Sequence, residues 1–386
     1  MARATVIVMD ACGVGALPDA ADYGDPPDAN TLAHLAERVG GLDLPTLAAL
    51  GLGNITSIEG VPPVPEPVVH GRLHPMGPGK ESTTGHWELM GVVPQHPLPT
   101  YPRGFPPKVI EALERATGLR FCCNRPYSGT EVIEDFGRHH LDTGEVILYT
   151  SADSVLQLAA HVDVLPESRL YEACEAARHV MSGEHAVGRV IARPFEGRPG
   201  AFVRREGRRD YAAPPPGRSY LEELQDAGLP VHAVGKIRDL FAGVGITEKH
   251  DGATNAKGIA SVTELLRSLE TGFIFVNLVE TDQVYGHRHD VEGFHGALKE
   301  IDAAVSRWLG MLRDDDLLIL TADHGVDPNA DHTDHTREHA PLLASFPGGD
   351  GRRHDGPLGD VGASVLRWLT GRDAPALAGN SFLASP

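Results

Sequence analysis

Three short, almost continuous apolar runs, each followed closely by an acidic residue, constrain the fold of this chain more than any other feature. Residues 5–9 lead directly into Asp10, residues 273–279 are followed by Asp282, and residues 317–320 precede Asp323. Runs of this kind are typical of strands that are buried on both faces of a parallel sheet. Because ligands bind at the carboxyl ends of strands in such sheets, the three acidic residues are predicted to lie at a binding site.

Helical patterns lie between the apolar runs, and strands that alternate with helices predict an α/β core with a mostly parallel sheet flanked by helices. The clearest pattern is a single apolar stripe with spacings of 3, 4, 3 and 4, formed by Leu298, Ile301, Val305, Trp308 and Leu312. Further helices are expected near residues 31–38, 167–181, 220–227, 262–269 and 363–369.

Two proline-rich stretches bracket the middle of the chain and indicate an inserted second domain. One comprises Pro94, Pro97, Pro99, Pro102, Pro106 and Pro107, and the other is residues 214–216. Such stretches are typical of stiff connectors. We therefore predict a core domain built from residues 1–98 and 214–386. The insertion would be a smaller α/β domain at residues 99–213, with a strand near 145–150.

Composition and charge exclude several classes of partner. The 34 basic and 53 acidic side chains give a net charge of −19, which opposes binding to nucleic acid or an anionic membrane surface. No apolar run reaches the roughly 18 residues that span a bilayer, and the first residues do not resemble a signal peptide. The four cysteines form no CxxC pair. We expect a cytoplasmic protein that acts on small molecules, and the sequence leaves its oligomeric state open.

A scattered set of Asp and His residues carries the strongest chemical signal. Asp282 precedes His287, Asp323 precedes His324, and a later His-rich segment spans residues 331–338. Mixed carboxylate and imidazole ligands suit Mn, Zn or Fe better than an all-oxygen calcium site. The set is larger than one ion needs, and two ions about 3.5–4 Å apart serve phosphoryl transfer. Helix capping, turn formation and solvation are alternative roles for each residue alone, so spacing by itself leaves both interpretations open.

Several motifs, in order along the chain, resemble the phosphopentomutases of the alkaline phosphatase superfamily. Residues 79–88, GKESTTGHWE, resemble the family's nucleophile loop. The other similar segments are MDACGVG at 9–15, YTSADSV at 149–155, GRVIARPF at 188–195, GKI at 235–237, NLVE at 277–280 through His287, TADHG at 321–325 and DHTRE at 334–338. The GHWE and SADSV segments are more specific to the mutase than the Asp-His-Gly element, which the whole superfamily shares.

The resemblance implies a dinuclear site that holds two divalent ions. The family pattern assigns one ion to Asp10, Asp323, His324 and the nucleophile oxygen, and the other to Asp282, His287 and His335. Mn²⁺ is the expected ion, although Zn²⁺ fits the same ligands.

The resemblance also implies a nucleophile three residues before Gly85, which is Ser82. The family pattern usually has Thr at this position, preceded by Asp, whereas this chain has Glu81 and Ser82. Serine is chemically adequate, and the neighbouring Thr83 remains the alternative nucleophile.

Six of the seven arginines between residues 189 and 209, inside the predicted insertion, suit a phosphate site, because Arg binds phosphate in a bidentate manner. They are Arg189, Arg193, Arg204, Arg205, Arg208 and Arg209. The resemblance implies that Arg189 and Arg204 hold the distal phosphate. It further implies that the sugar is lined by Ser151, Asp153, Val155 and Ile191. The alternative is a solvated basic strand edge.

The activity that the resemblance implies is the interconversion of α-D-ribose 1-phosphate and D-ribose 5-phosphate, together with the 2-deoxyribose pair. Phosphorylated Ser82 and a pentose 1,5-bisphosphate would be the intermediates, and a sugar 1,6-bisphosphate would prime the enzyme. The alternative is another metal-dependent phosphatase, or a phosphosugar or phosphoglycerate mutase, of the same superfamily. A non-catalytic metal-binding protein on this fold is a further alternative of a different class.

Overall fold

A computed structural model describes residues 2–151 and 154–383 of the chain. The strands are β1 Arg3–Met9, β2 Val69–His74, β3 Phe121–Pro126, β4 Val146–Thr150, β5 Val155–His161, β6 Arg189–Arg198, β7 Ala201–Arg204, β8 Arg209–Ala212, β9 Val231–Val234, β10 Glu248–His250, β11 Gly272–Leu278, β12 Asp316–Thr321, β13 Ala340–Ser345 and β14 Gly356–Pro357. The α-helices are α1 Thr31–Val39, α2 Pro45–Leu50, α3 Leu52–Ile55, α4 Ser82–Leu89, α5 Pro107–Thr117, α6 Glu131–Thr143, α7 Glu167–Val180, α8 Tyr220–Asp226, α9 Ile237–Leu240, α10 Asn255–Ser268, α11 Val291–Leu309 and α12 Asp360–Thr370. None of the helices in these two ranges combines the length and apolar character that crossing a membrane requires.

The chain divides into two compact units. The first unit combines Met1–His96 with Pro215–Pro386, and the middle unit is Pro97–Pro214. The predicted role of the middle unit as a substrate-binding domain stays a prediction.

The first unit is built around an eight-stranded sheet with the order β10-β9-β11-β1-β12-β13-β2-β14. Its strands are parallel except for β13, which runs antiparallel to both of its neighbours. The three predicted apolar runs form β11, β1 and β12, which are adjacent and buried along their whole length. The predicted α/β class with a mostly parallel sheet is therefore confirmed, and the carboxyl ends of these strands lie at one edge.

Helices flank this sheet much as the apolar periodicity predicts. In α11 the stripe of Leu298, Ile301, Val305 and Trp308 is buried. The helix ends at Leu309, so the expected last member of the stripe, Leu312, lies beyond it. Gly310 follows the last helical residue, and the low helix propensity of glycine explains the earlier end.

The middle unit contains a six-stranded sheet in which β3-β4-β5-β6-β7 are neighbours and β8 also pairs with β6. Residues of α5 and α7, including Leu113 and Leu170, belong to one apolar cluster with Leu158 of the sheet, and residues of α6 join a second cluster with Phe195. The expectation that every proline of residues 94–107 lies in a connector is wrong for Pro107, which starts α5. Proline is tolerated there because the first helical N–H has no partner within the helix.

Candidate active site

The carboxyl edge of the first sheet brings the predicted Asp and His residues together. Asp10 directly follows β1, and Asp323 and His324 follow β12 after a single residue. Asp282 lies in a short π-helical turn, Thr281–Tyr285, soon after β11. The buried strands thus hold the backbone of these residues in place at the carboxyl edge of the sheet.

Ser82, His324 and two buried carboxylates form the first part of the site. Ser82 Oγ lies 3.0 Å from His324 Nε2. The same nitrogen lies 3.3 Å from Asp323 Oδ2 and 3.5 Å from Asp10 Oδ1. These four residues therefore present their polar atoms to one small volume.

Asp282 connects this group to a second one. Its Oδ1 lies 3.3 Å from Nε2 of both His287 and His335. Ligand atoms of Asp282 also lie within 4.8 Å of those of Asp10 and His324. The His335 ring stacks on the His324 ring with centroids 3.8 Å apart. The structure thus brings all seven predicted metal-site residues into one cluster, with Asp282 shared between its two halves.

The donor atoms of this cluster fit divalent cations. His324 Nδ1 donates to the carbonyl oxygen of Gly325 at 3.1 Å, and His287 Nδ1 donates to that of Thr333 at 2.6 Å. In a neutral ring, Nε2 then carries a lone pair, and in both residues this atom faces a carboxylate. Buried carboxylate oxygens without a hydrogen-bond partner in the described parts of the chain are Asp10 Oδ1, Asp282 Oδ1 and Asp323 Oδ2. Acceptors that face one another in this way need positive charge between them.

The electrostatics lead to the same conclusion. Burial, reinforced by the neighbouring Asp323, raises the pKa of Asp10 to about 7. Burial alone would lower the pKa of His324, but the Asp323 carboxylate raises it to about 10. Burial would likewise raise the pKa of Asp282, yet the imidazole of His335 holds it well below its usual range. In the absence of metal ions, protons thus partly supply the positive charge that the carboxylates require.

Ser82 occupies the first position of α4, and the other residues of that helix are buried. The unpaired N–H groups at the start of a helix favour a phosphate there. The hydroxyl of Thr84 donates to the Glu81 carbonyl oxygen at 3.1 Å. Within the described residues, Thr83 makes no side-chain hydrogen bond to the Asp and His cluster, so the contact to His324 singles out Ser82.

Three residues without a predicted role also contact this cluster. Lys236 Nζ lies 3.7 Å from Asp10 Oδ2, and Asn277 Nδ2 donates to the same oxygen at 3.0 Å. His86 Nδ1 lies 2.8 Å from the Ser82 carbonyl oxygen and 3.2 Å from an oxygen of Asp323. All three lie in segments that resemble the family motifs, and this resemblance is the signal in the sequence that could have identified them.

The predicted substrate-binding residues lie in the middle unit. Val155 and Arg189 begin adjacent strands and are paired in register. Arg204 Nε donates to the Gly129 carbonyl oxygen at 3.1 Å. Ile191 is buried in β6, and Ser151 directly follows β4. Asp153 lies outside the described residues.

The six arginines that the sequence analysis assigns to a phosphate site do not form a single cluster. Arg209 lies over the Tyr171 ring of α7, with Cζ 3.8 Å from the ring centroid. Arg205 pairs with Glu167 of α7 at 3.4 Å and with Glu196 at 2.7 Å. Two of the six, Arg205 and Arg209, therefore contact side chains of α7. The other four are Arg189, Arg193, Arg204 and Arg208.

Comparisons with known proteins show what this chain is similar to. Residues 2–371 match the family model of the metalloenzyme superfamily. A phosphopentomutase from Caldanaerobacter subterraneus subsp. tengcongensis is 46% identical over 385 residues, covering 99% of this chain and 97% of that protein. A phosphopentomutase from Dictyoglomus turgidum is 49% identical over 348 residues, covering 90% and 88%.

Solved structures with a similar fold include a Pyrococcus horikoshii protein and a phosphoglycerate mutase from Leishmania mexicana. The first has a TM-score of 0.51 at 15% identity and covers 97% of this chain and 98% of its own. The second has a TM-score of 0.51 at 14% identity and covers 98% and 97%. At such low identity these similarities concern the fold alone.

Proposed function

Because this chain belongs to the phosphopentomutase family, we propose that it interconverts α-D-ribose 1-phosphate and D-ribose 5-phosphate, and also the 2-deoxyribose pair. The enzyme is an isomerase of the phosphotransferase type and a metalloenzyme. The observation that carries the proposal for the site is the 3.0 Å approach of Ser82 Oγ to His324 Nε2, at the start of α4 and beside two buried carboxylates.

Ser82 is the residue that we propose to carry the phosphoryl group. A serine hydroxyl is a weak nucleophile unless its surroundings activate it. The residues that would hold two divalent ions, in our proposal Mn²⁺, are Asp10, Ser82, Asp323 and His324 for one and Asp282, His287 and His335 for the other. When bound, such ions stabilise a serine alkoxide and neutralise phosphoryl charge. The amino end of α4 adds N–H donors for the phosphoryl oxygens.

The proposed cycle starts from phosphorylated Ser82, formed with a sugar 1,6-bisphosphate as primer. The free hydroxyl of the bound pentose phosphate attacks the phosphorus, the bond to Ser82 Oγ breaks, and a pentose 1,5-bisphosphate forms. Its other phosphoryl group then returns to Ser82, and the isomeric pentose phosphate leaves. Exclusion of water during these steps prevents loss of the phosphoryl group as inorganic phosphate.

The middle unit would hold the substrate during both transfers. We propose that Arg189 and Arg204 bind the phosphate that is not being transferred, because a guanidinium matches two phosphate oxygens at once. The residues proposed to line the sugar are Ser151, Asp153, Val155 and Ile191. A phosphatase needs no such second phosphate site, so this arrangement favours transfer to the sugar over transfer to water.

Phosphorus NMR tests the reaction directly. The protein is incubated with Mn²⁺, ribose 5-phosphate and a trace of glucose 1,6-bisphosphate. We expect a ribose 1-phosphate signal to grow without inorganic phosphate. Inorganic phosphate as the only product would identify a phosphatase instead, and the same assay with Zn²⁺ tests the choice of metal.

A pair of adjacent variants tests the nucleophile. Ser82→Ala is expected to abolish mutase activity while Mn²⁺ still binds, because the six Asp and His side chains of the cluster remain to hold it. Thr83→Ala serves as the matched control and should keep most of the activity, since Ser82 makes the contact to His324. The opposite result would assign the phosphoryl group to Thr83.

A further inference from the structure

Tyr149 is fully buried, and its hydroxyl has no hydrogen-bond partner among residues 2–151 and 154–383. Tyr149 lies opposite Gln157 of β5, which in turn lies opposite Ile191 of β6. Residues that are directly paired across strands share one face of a sheet. Tyr149 is therefore on the same face as Ile191, one of the residues proposed to line the sugar. Buried hydroxyls without a partner are rare, and a bound ligand would supply the partner that this one lacks.

The atoms around the hydroxyl place it beside Arg204. A Cβ atom built on Gly129 would lie 2.3 Å from Arg204 Nη2 and 2.8 Å from Tyr149 Oη, so the guanidinium and the hydroxyl face the same point next to the Gly129 backbone. Arg193 is on this face as well, because its Nε donates to Gln157 Oε1 at 2.6 Å. Two guanidinium groups and one hydroxyl thus converge on neighbouring positions of the sheet.

The charges on this face are unbalanced in favour of an anion. Arg189 and Arg208 share a single carboxylate, Asp210, at 3.6 and 2.7 Å. Arg193 and Arg204 bond to neutral acceptors, an amide oxygen and a carbonyl oxygen. Burial raises the pKa of Tyr149, although Arg193, Arg204 and Arg208 oppose that shift, so its hydroxyl keeps its proton at neutral pH. This face therefore presents a hydrogen-bond donor, the Tyr149 hydroxyl, among guanidinium groups whose positive charge is only partly balanced.

We propose that the Tyr149 hydroxyl donates a hydrogen bond to the substrate phosphate that the middle unit holds, next to Arg204 and Arg193. The ligand class is a phosphate monoester dianion. This inference rests on the proposed function and adds a binding residue to it. Because the bisphosphate presents either end to Ser82, Tyr149 would bind the 5-phosphate in one half of the cycle and the 1-phosphate in the other.

Tyr149→Phe tests the inference because it removes only the hydroxyl. Ribose 5-phosphate binding is measured by calorimetry in the full chain with Mn²⁺, in a Ser82→Ala background that prevents turnover. We expect the Kd to rise at least about tenfold, as the loss of a hydrogen bond to a charged group predicts. In the enzyme with Ser82 intact, KM should rise for both ribose 5-phosphate and ribose 1-phosphate.

Tyr211→Phe is a matched control. The Tyr211 hydroxyl is also buried without a partner among the described residues, but Tyr211 pairs with Val190, the neighbour of Ile191 in β6, and so lies on the opposite face of the sheet. Binding should be unchanged in this variant. Equal weakening in both variants, or none in Tyr149→Phe, would overturn the inference.

Two further readouts separate the possible failures. The thermal midpoint of the ligand-free protein should stay the same or rise in Tyr149→Phe, because an unpaired buried hydroxyl destabilises the fold. A lower midpoint with unchanged binding would assign the hydroxyl a structural role instead. Binding of inorganic phosphate is measured in the same variants, so Tyr149 is still tested if the enzyme proves not to be a pentose phosphate mutase.

Discussion

Arg337 donates from Nη1 to the carbonyl oxygen of Gly79 at 2.6 Å, three residues before Ser82. The same guanidinium donates from Nε to both carboxylate oxygens of Asp19 at 2.9 Å, and the residue is 5% exposed. Arg337 follows His335 by two residues. A buried, charge-anchored side chain therefore joins the segment that carries a proposed metal ligand to the loop that presents the proposed nucleophile.

Arg337→Met is expected to lower kcat by about 10- to 100-fold, because small displacements of a reacting group reduce rates by such factors. KM for ribose 5-phosphate should change little, since the residues proposed to bind the substrate belong to the middle unit. Steady-state kinetics and the manganese content of the purified variant give the measurement. Arg38→Met is the control, because Arg38 is exposed and bonds to Asn329. An unchanged kcat in Arg337→Met would contradict a positioning role.

The strand-end part of the site could be predicted from the sequence because its strands are buried on both faces. Such strands appear as continuous apolar runs, and the polar residue that ends each run marks the carboxyl edge. Asp10, Asp282 and Asp323 are predicted in this way. The approach of His335 to Asp282 depends on how the segment after β12 folds back, and no local periodicity reports that. Only the family resemblance connected these two residues in advance.

The arginines show a second limit of sequence reasoning. Arg208 and Arg209 are adjacent, yet Arg208 pairs with Asp210 whereas Arg209 stacks on Tyr171. Arg209 begins β8 and Arg208 directly precedes it. Side chains of successive residues along an extended chain point to opposite faces, so closeness in sequence divides such a cluster between two surfaces. A count of nearby charges therefore overstated the number of arginines available to one phosphate.

Asp282→Asn and His287→Ala should differ in the number of metal ions lost. Asp282 belongs to both halves of the cluster, whereas His287 belongs to one. We expect His287→Ala to retain about one ion per chain and Asp282→Asn to retain less, because metal affinity depends on the full set of charged ligands. Elemental analysis after dialysis against limiting Mn²⁺ gives the counts. His295→Ala, which alters a histidine that accepts from the Asp43 amide, should keep both ions. Equal losses in the first two variants would argue against a shared Asp282.

Arg3→Met should destabilise the fold without impairing the chemistry. Arg3 is fully buried, and its Nε donates to Asp316 Oδ1 at 3.0 Å. Removal of one partner of a buried ion pair costs about 3–5 kcal/mol of unfolding free energy, because the other charge is left unpaired. Arg3 begins β1 and Asp10 follows its end, so kcat per folded molecule should be unchanged. Denaturant unfolding measures the loss. Arg138→Met, which removes an exposed pair with Asp142, should have little effect.

Asn277 is expected to tune metal affinity through Asp10. Its Nδ2 donates to Asp10 Oδ2 at 3.0 Å, which leaves Oδ1 as the oxygen without a hydrogen-bond partner in the described chain. Partners of metal ligands orient those ligands, and their loss typically weakens metal binding about 10- to 100-fold. Asn277→Leu should therefore raise the Kd for Mn²⁺ by such a factor, as measured by calorimetry on the metal-free protein.

The matched control for this prediction is Asn255→Leu. Asn255 is equally buried, but its Oδ1 accepts from the Glu280 amide at 3.2 Å and not from a residue of the cluster. Both variants lose a buried amide, so both should be less stable, and only Asn277→Leu should bind Mn²⁺ more weakly. If the two variants weaken binding equally, the effect would follow from general loss of stability, and the bond from Asn277 to Asp10 would have no separate part in holding the metal.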